Sequence, residues 1–392
     1  MRLRVTAPLA FRIATHSKPR LLASVGAIGF AILLMFVQLG FRNALLDSGV
    51  ALLRALDADL IMTSADKRHI SAHEPFPRRR ISEARAVPGV ASGAPLYIAS
   101  HPWKNRRTGV QRPIRVFAFE PHDRVFAADA VTAAGPALAL ADAAIVDTKS
   151  LPSYGPLDAG PAELGRRPVR VVGSFALGAD FDADGNVIIG AESFFRLGQK
   201  PGERPASLDR RERRQDQVEV GLLKVSPGAD PESVARAVRD RLPRDVNIAT
   251  KAEAIEIETA YLEDSAAIST VFGVGVVMGF VVGVVICYQI LFTDVSDHAS
   301  EFATMKAIGY GNGDLVAVVC VDALIHAVLA FAPSVVVAAL VYRLLAGATG
   351  LTFSLTLARG STVLVLTLIM CVVSAALSVG KVRGSDPAEM FG

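Results

Sequence analysis

The chain has 392 residues, 51% of them hydrophobic and 20% charged, with a mean hydropathy of +0.39. That balance excludes a disordered chain and sits badly with a soluble enzyme, which is less apolar and more charged. Its 41 Lys and Arg stand against 38 Asp and Glu, a formal net charge of +3, so no global basic field points to nucleic acid. The composition is that of a membrane protein.

Residues 1–20 form a basic segment with Arg2, Arg4, Arg12, Lys18 and Arg20 and no acid. Within it Leu9, Ile13 and His16 share one helical face beside Arg12. That pattern suits a short interfacial helix, with an unstructured basic flank as the alternative. Residues 21–41 carry no charge and are long enough, at about 20 apolar residues, to cross a bilayer as a helix. This stretch outruns the apolar part of a signal peptide, and Gly40-Phe41-Arg42 offers no good cleavage site, so it reads as an uncleaved anchor.

Residues 42–264 contain no comparable stretch, and their acids and bases balance. Apolar runs bounded by Gly, Pro and Asp predict strands at 59–63, 114–119, 144–146, 169–173, 218–225 and 246–250. Asp230-Pro231-Glu232 opens a helix that continues through Val234 and Val238. With the strands on either side this gives a β-α-β unit, a small α+β lobe attached to a mainly β lobe. Residues 251–264 space their acids and apolar groups helically and lead into the second span.

Three further spans are predicted at 265–293, at 315–343 with Asp322 inside it, and at 360–380. The fold class is therefore four transmembrane α-helices, one plus three, with a large α+β extracytoplasmic domain inserted between the first two. The basic flank places the N-terminus in the cytoplasm. Four crossings return the 381–392 tail to the same side, leaving a cytoplasmic loop at 294–314 and an external loop at 344–359. Lys306 as the only base of the inner loop, and Arg343 and Arg359 at the edges of the outer one, run against the rule. The orientation thus rests on the N-terminal cluster.

Few residues suggest chemistry. Asp180-Phe181-Asp182-Ala183-Asp184-Gly185 begins like a calcium loop, but its twelfth position is Ala191 and no helices flank it, so an Asp-rich turn is the better reading. Gly309-Tyr310-Gly311-Asn312-Gly313 lacks a preceding strand and a Gly-Lys-Ser/Thr ending, which makes it a helix stop and not a phosphate loop. Gly275, Gly279 and Gly283 recur every fourth residue and mark a helix-packing face, whether toward this chain or a second copy. Asp322 and His326 share a face of the third span; intramembrane ionisable groups default to function and a proton relay would use such a pair, yet it stands isolated, and a local hydrogen-bonded or interface-facing pair is the better reading. Pro333 is expected to kink the same helix. The basic clusters 78–80 and 210–214 read as solvated loops, with contact to anionic lipid headgroups or an acidic partner as the alternative. Cys287, Cys320 and Cys371 fall in apolar runs without ligand spacing, and His69, His73, His101 and His122 show none either. No cofactor and no catalytic set is expected in the chain.

The loop Ser300-Glu301-Phe302-Ala303-Thr304-Met305-Lys306-Ala307-Ile308-Gly309-Tyr310 resembles the coupling-helix signature of FtsX-like ABC-transporter permeases. The one-plus-three layout resembles the MacB-like branch, with 265–385 as the FtsX-like permease domain and the inserted domain as a MacB-like periplasmic core. Val171-Val172-Gly173-Ser174-Phe175 and Asp184-Gly185 resemble that core, and residues 20–42 with the Leu60-Ile61 strand resemble the DevC subgroup, associated with glycolipid export. Ala330-Phe331-Ala332-Pro333-Ser334 departs from the Gly-rich element of many relatives.

The resemblance implies a multi-pass protein of the bacterial inner membrane and a homodimer. A cytoplasmic ATPase dimer with its ATP and Mg would dock on Glu301, Met305, Lys306, Ala307, Ile308, Gly309 and Tyr310. It also implies a membrane fusion protein and an outer-membrane duct as partners, and an amphiphilic substrate such as a glycolipid. The tail Ser385-Asp386-Pro387-Ala388-Glu389-Met390 would offer a second ATPase contact. A regulator of a periplasmic cell-wall hydrolase, a lipoprotein-releasing permease and a ligand-sensing permease are the competing readings of the same signature.

Overall fold

The computed structural model describes residues 18–197, 215–264, 266–298, 304, 308 and 311–382; the 9–17 segment, the 210–214 cluster and the tail beyond Val382 lie outside them. Helix α1 spans Lys18–Gly49 and α2 spans Ala51–Ala55. The helix α1 therefore outlasts the charge-free stretch, because Arg42 and Asp47 can stand in water while the backbone continues helical.

The inserted domain is a compact unit of Ala44–Ser265 joined by Ala346–Thr352. In chain order it contains β1 (Leu60–Ser64), β2 (Phe76–Pro77), α3 (Arg79–Arg85), β3 (Val90–Lys104), β4 (Gln111–Phe119), α4 (Asp129–Leu138) and β5 (Ala143–Asp147). Then follow β6 (Gly160–Leu164), β7 (Arg167–Phe175), β8 (Asn186–Gly190), α5 (Ala191–Arg196), β9 (Gln217–Val218), β10 (Val220–Val225), α6 (Pro231–Arg241), β11 (Val246–Thr250) and α7 (Lys251–Asp264). The main sheet runs β11-β1-β10-β3-β4-β8-β5-β7-β6, and β2 pairs β9 apart from it.

Two cores sandwich this sheet, and the period-2 geometry of strands sorts residues between them. Val116 and Ala118 of β4, Val187 and Ile189 of β8 and Leu223 of β10 face one core with Trp103 and Tyr154. Phe117, Phe119, Ile188 and Leu222 face the other, with Phe126, Leu52 and Leu53. The central strands β5 and β8 are buried along their whole length, as strands covered on both faces must be.

The expected β-α-β unit needs one correction. β10 and β11 are not neighbours: β1 lies between them and pairs antiparallel with both. A strand from the domain's far end thus fills the slot that the α6 crossover leaves open. Helix α6 itself starts where expected, with Pro231 in its first turn and the Asp230 carboxylate accepting from Ser233 N at 3.0 Å. The two lobes also share one sheet. The first half of β3 pairs β10, with Val220 opposite Leu96, and its second half pairs β4, with Tyr97 opposite Ala118.

The helical unit comprises α1 with α8 (Ala266–Asp297), α9 (Asn312–Thr349) and α10 (Leu357–Val382). All four are long and apolar enough to cross a membrane. They share a buried cluster that includes Ile32, Met35 and Phe36 of α1, Cys287 and Leu291 of α8, Ala323 and Ala327 of α9, and Met370 and Ala375 of α10. Polar side chains tie helix to helix within it. Ser334 Oγ donates to Gly29 O at 3.2 Å, Ser374 Oγ to Val284 O at 2.9 Å, and Tyr342 Oη to Phe36 O at 2.5 Å. Helix α9 continues unbroken from Asn312 to Thr349 with Pro333 inside it.

Candidate functional site

Of the ATPase-docking residues expected from the sequence, Glu301, Met305, Lys306, Ala307, Gly309 and Tyr310 lie outside the described residues. Within the loop, Ile308 N donates to Thr304 O at 3.1 Å, the i to i−4 bond of an α-helical turn. Ile308 is 72% exposed. An apolar side chain standing that far out of a short helical turn is a group available to a partner.

The glycine face of α8 packs on helices of the same chain. A Cβ at Gly279 would stand 3.7 Å from Met35 Cγ and 3.9 Å from Met35 N on α1. One at Gly275 would meet the end of the Gln38 side chain, also on α1, at 2.6 Å, and one at Gly283 would overlap Met370 Sδ of α10 and come within 3.2 Å of Ala31 Cβ. The spacing therefore serves close contact of α8 with α1 on one side and α10 on the other.

Asp322 and His326 are both buried on α9, at 6% and 2% exposure. His326 Nδ1 lies 3.1 Å from the main-chain oxygen of Asp322 and 3.6 Å from its Oδ1. The pair is not isolated, as the sequence suggested. Asp294 of α8 and His298, one residue past its end, are within electrostatic reach of Asp322. They repeat the same i to i+4 arrangement, His298 Nδ1 lying 2.9 Å from Asp294 O. Both sit at the polar end of α8, past its charge-free stretch, which is why the run of apolar residues did not reveal them.

The inserted domain holds a buried polar network that no motif announced. Lys67 Nζ bonds Glu219 Oε2 at 3.1 Å and also the Ala72 carbonyl, while His73 Nδ1 lies 2.6 Å from Glu219 Oε1. Arg115 bonds Asn186 Oδ1 at 2.9 Å, Ser71 Oγ at 3.3 Å and the Asp180 carboxylate. Glu258 of α7 accepts from Ile70 N at 2.9 Å, and Tyr261 of α7 stacks on His69 with ring centroids 5.2 Å apart. The segment 67–73 is thereby held by the sheet on one side and by α7 on the other. It separates a cavity of about 480 Å³ lined by Lys67, His69, Ile257 and Glu258 from one of about 670 Å³ lined by His73, Arg115, Phe181 and Glu219. Burial lowers the Lys67 ammonium from its usual range against the pull of Glu219, and pushes the Glu258 carboxyl up to about 7.

The Asp-rich sequence is a turn. Asp180 Oδ1 accepts from Asp182 N at 2.9 Å and Ala183 N at 3.0 Å, and its other oxygen pairs with Arg115. Among the described residues no group of three His, Cys, Asp or Glu is arranged to hold a metal. Of the 78–80 arginines, Arg79 is exposed and Arg80 is not. Arg80 is 9% exposed and bridges Glu83 at 2.7 Å, one turn along its own helix, and Asp245 at 2.8 Å, which the fold brings to it from the turn before β11.

Residues 273–387 match the FtsX-like permease C-terminal family. No curated protein matches the chain at a significant level. Among solved structures, the periplasmic region of MacB from Actinobacillus actinomycetemcomitans is similar over 51% of this chain and 92% of its own, at 11% identity and a TM-score of 0.32. The extracellular domain of the noncanonic ABC-type transporter YknZ from Gram-positive bacteria is similar over 49% of this chain and 99% of its own, at 12% identity and a TM-score of 0.32.

Proposed function

We propose that the chain is the membrane subunit of an ABC-type transporter. In this reading a separate cytoplasmic ATPase drives motion of the inserted domain, and an amphiphilic substrate, such as a glycolipid, is exported. The match of residues 273–387 to the FtsX-like permease family carries the reading. Four membrane-length helices with one large domain inserted after the first support it.

The N- and C-termini lie in the cytoplasm of a bacterium and the inserted domain lies outside the inner membrane. Two copies of the chain receive an ATPase dimer on residues 301–310, where the exposed Ile308 supplies apolar contact, Glu301 and Lys306 flank the surface and Gly309 ends the helix. Closure of the ATPases on ATP moves α1 and α8, the two helices next in sequence to the domain. The domain passes the stroke to a membrane fusion protein and an outer duct. ATP hydrolysis belongs to the partner, and this chain supplies no catalytic group.

The test is co-purification of the tagged full chain in mild detergent, followed by ATP hydrolysis of the complex in lipid. The expected outcome is an ABC ATPase whose rate rises when the chain is present, together with an adaptor protein. Lys306→Glu and Gly309→Pro should remove that stimulation. Stimulation unchanged in both variants would reject the 301–310 docking site, and the absence of any ATPase would reject the transporter reading. Recovery of a cell-wall hydrolase in place of an adaptor would replace export by regulation.

A further inference from the structure

Asp322 Oδ1 is buried, and among the described residues no donor reaches it. The His326 Nδ1 atom, at 3.6 Å, is beyond hydrogen-bond length and is instead engaged with the Asp322 carbonyl at 3.1 Å. A main-chain carbonyl can only accept, so that contact fixes a proton on Nδ1 and leaves Nε2 as the imidazole's exchangeable position. The same logic holds for His298, whose Nδ1 faces the Asp294 carbonyl at 2.9 Å. Asp294 and His298, at the end of α8 and one residue past it, thus repeat the Asp322–His326 arrangement of α9. The ionisable groups around Asp322 are His326 on its own helix, Asp294 and Cys287 on α8, and His298 just past the end of α8.

A bare carboxylate oxygen with no donor is expensive inside a protein, and more so at membrane depth. A metal ion would relieve it, but these side chains are not arranged to hold one. A proton bound by the pair lowers that cost, because it cancels the buried negative charge.

We propose that Asp322 and His326, flanked by Asp294 and His298, form a proton-binding site in the helical unit. The pair carries one proton in the packing described here, either as carboxylic acid with neutral imidazole or as carboxylate with imidazolium. It releases the proton when rearrangement of α8 against α9 admits water to Asp322. No covalent bond other than O–H or N–H changes, and water is the proton's source and acceptor. The site goes beyond the transporter reading and does not depend on it, because proton binding belongs to this chain without its partners.

Infrared titration of the purified full chain in lipid nanodiscs tests the site. The difference between wild type and Asp322→Asn isolates one carboxyl from the others, including Glu258. The expected result is a single titrating carboxyl or carboxylate band in that difference. Its midpoint should shift by about one pH unit in His326→Gln and by less in His298→Gln. Asp322→Glu should restore a titrating band, which keeps the outcome readable if Asp322→Asn folds poorly. A difference spectrum with no band that responds to pH would overturn the proposal. So would stoichiometric binding of zinc or nickel by the full chain that Asp322→Asn abolishes, since the quartet would then be a metal site.

Discussion

At the scale of single residues, the most informative group is Glu258. Its carboxyl is 6% exposed and is pushed up to about 7 by burial, with the Ile70 amide opposing that shift. A carboxyl that binds its proton more tightly folded than unfolded stabilises the fold while protonated. That contribution is complete below the unfolded value of 4.5 and is lost as the pH rises through about 7. The loss is on the order of 3 kcal/mol across that window. Glu258→Gln keeps an oxygen for Ile70 N and removes the charge. Thermal unfolding of the full chain in detergent should show the variant more stable than wild type at about pH 8 and the two converging near pH 5. A constant offset between the curves would mean that the carboxyl does not titrate in this window. Asp147 is held by donors on both of its oxygens. It is fully buried and accepts from Leu177 N at 3.0 Å, Gly178 N at 2.8 Å, Lys149 N at 2.9 Å and Asn186 Nδ2 at 2.8 Å. Asp147→Asn turns an amide toward donors on at least one side, and we expect a loss of about 3 kcal/mol in the same assay.

At the scale of elements, helix contacts in the membrane unit depend on small residues more finely than their spacing suggests. The Gly275, Gly279, Gly283 series was legible in the sequence because a period of four on an apolar helix is a packing signature. Gly40 of α1 was not, because a lone glycine at the end of an apolar stretch has no pattern around it. Yet a Cβ there would overlap the ring of Tyr342, standing 2.6 Å from its Cε1. The ring cannot easily yield, since its hydroxyl donates to Phe36 O at 2.5 Å. Gly40→Ala should therefore cost about 1–3 kcal/mol, whereas Gly26→Ala, which would touch nothing within 4 Å, should cost nothing. Fluorescence-detected size-exclusion chromatography after graded heating compares them, and equal melting would show that Tyr342 relaxes freely. The strands tell a similar story. β5, β7 and β11 were readable as apolar runs, while the first half of β3 carries Gly93 and Pro95 and was not. Its register is set by β10, which no local pattern encodes.

At the scale of the whole molecule, the division into four long apolar helices and an inserted domain follows from where charges are absent, a one-dimensional property. What joins distant parts is not one-dimensional. β1 enters between β10 and β11, and Asp294 and His298 approach Asp322, only because the chain returns on itself. The same return brings the end of α1 to α7 inside the domain, where the Leu262 side chain lies against Gly49. Helix α7 is held to the domain at three further points: Glu258 to Ile70 N, Tyr261 on His69, and the Lys251 ammonium to the Leu56 carbonyl at 2.6 Å. Only residue 265 separates α7 from α8 in sequence. If the domain is moved by force along these helices, a flexible insertion at that point should absorb the stroke. Placing Gly-Ser-Gly after Asp264 should leave the domain folded and ATPase binding intact, because every contact that holds α7 to the domain lies before the insertion. Transport by the reconstituted complex should fall at least tenfold while ATP hydrolysis continues. Transport that survives the insertion would mean that α1 alone carries the motion, and the corresponding insertion at Gly49 would then be the one that abolishes it.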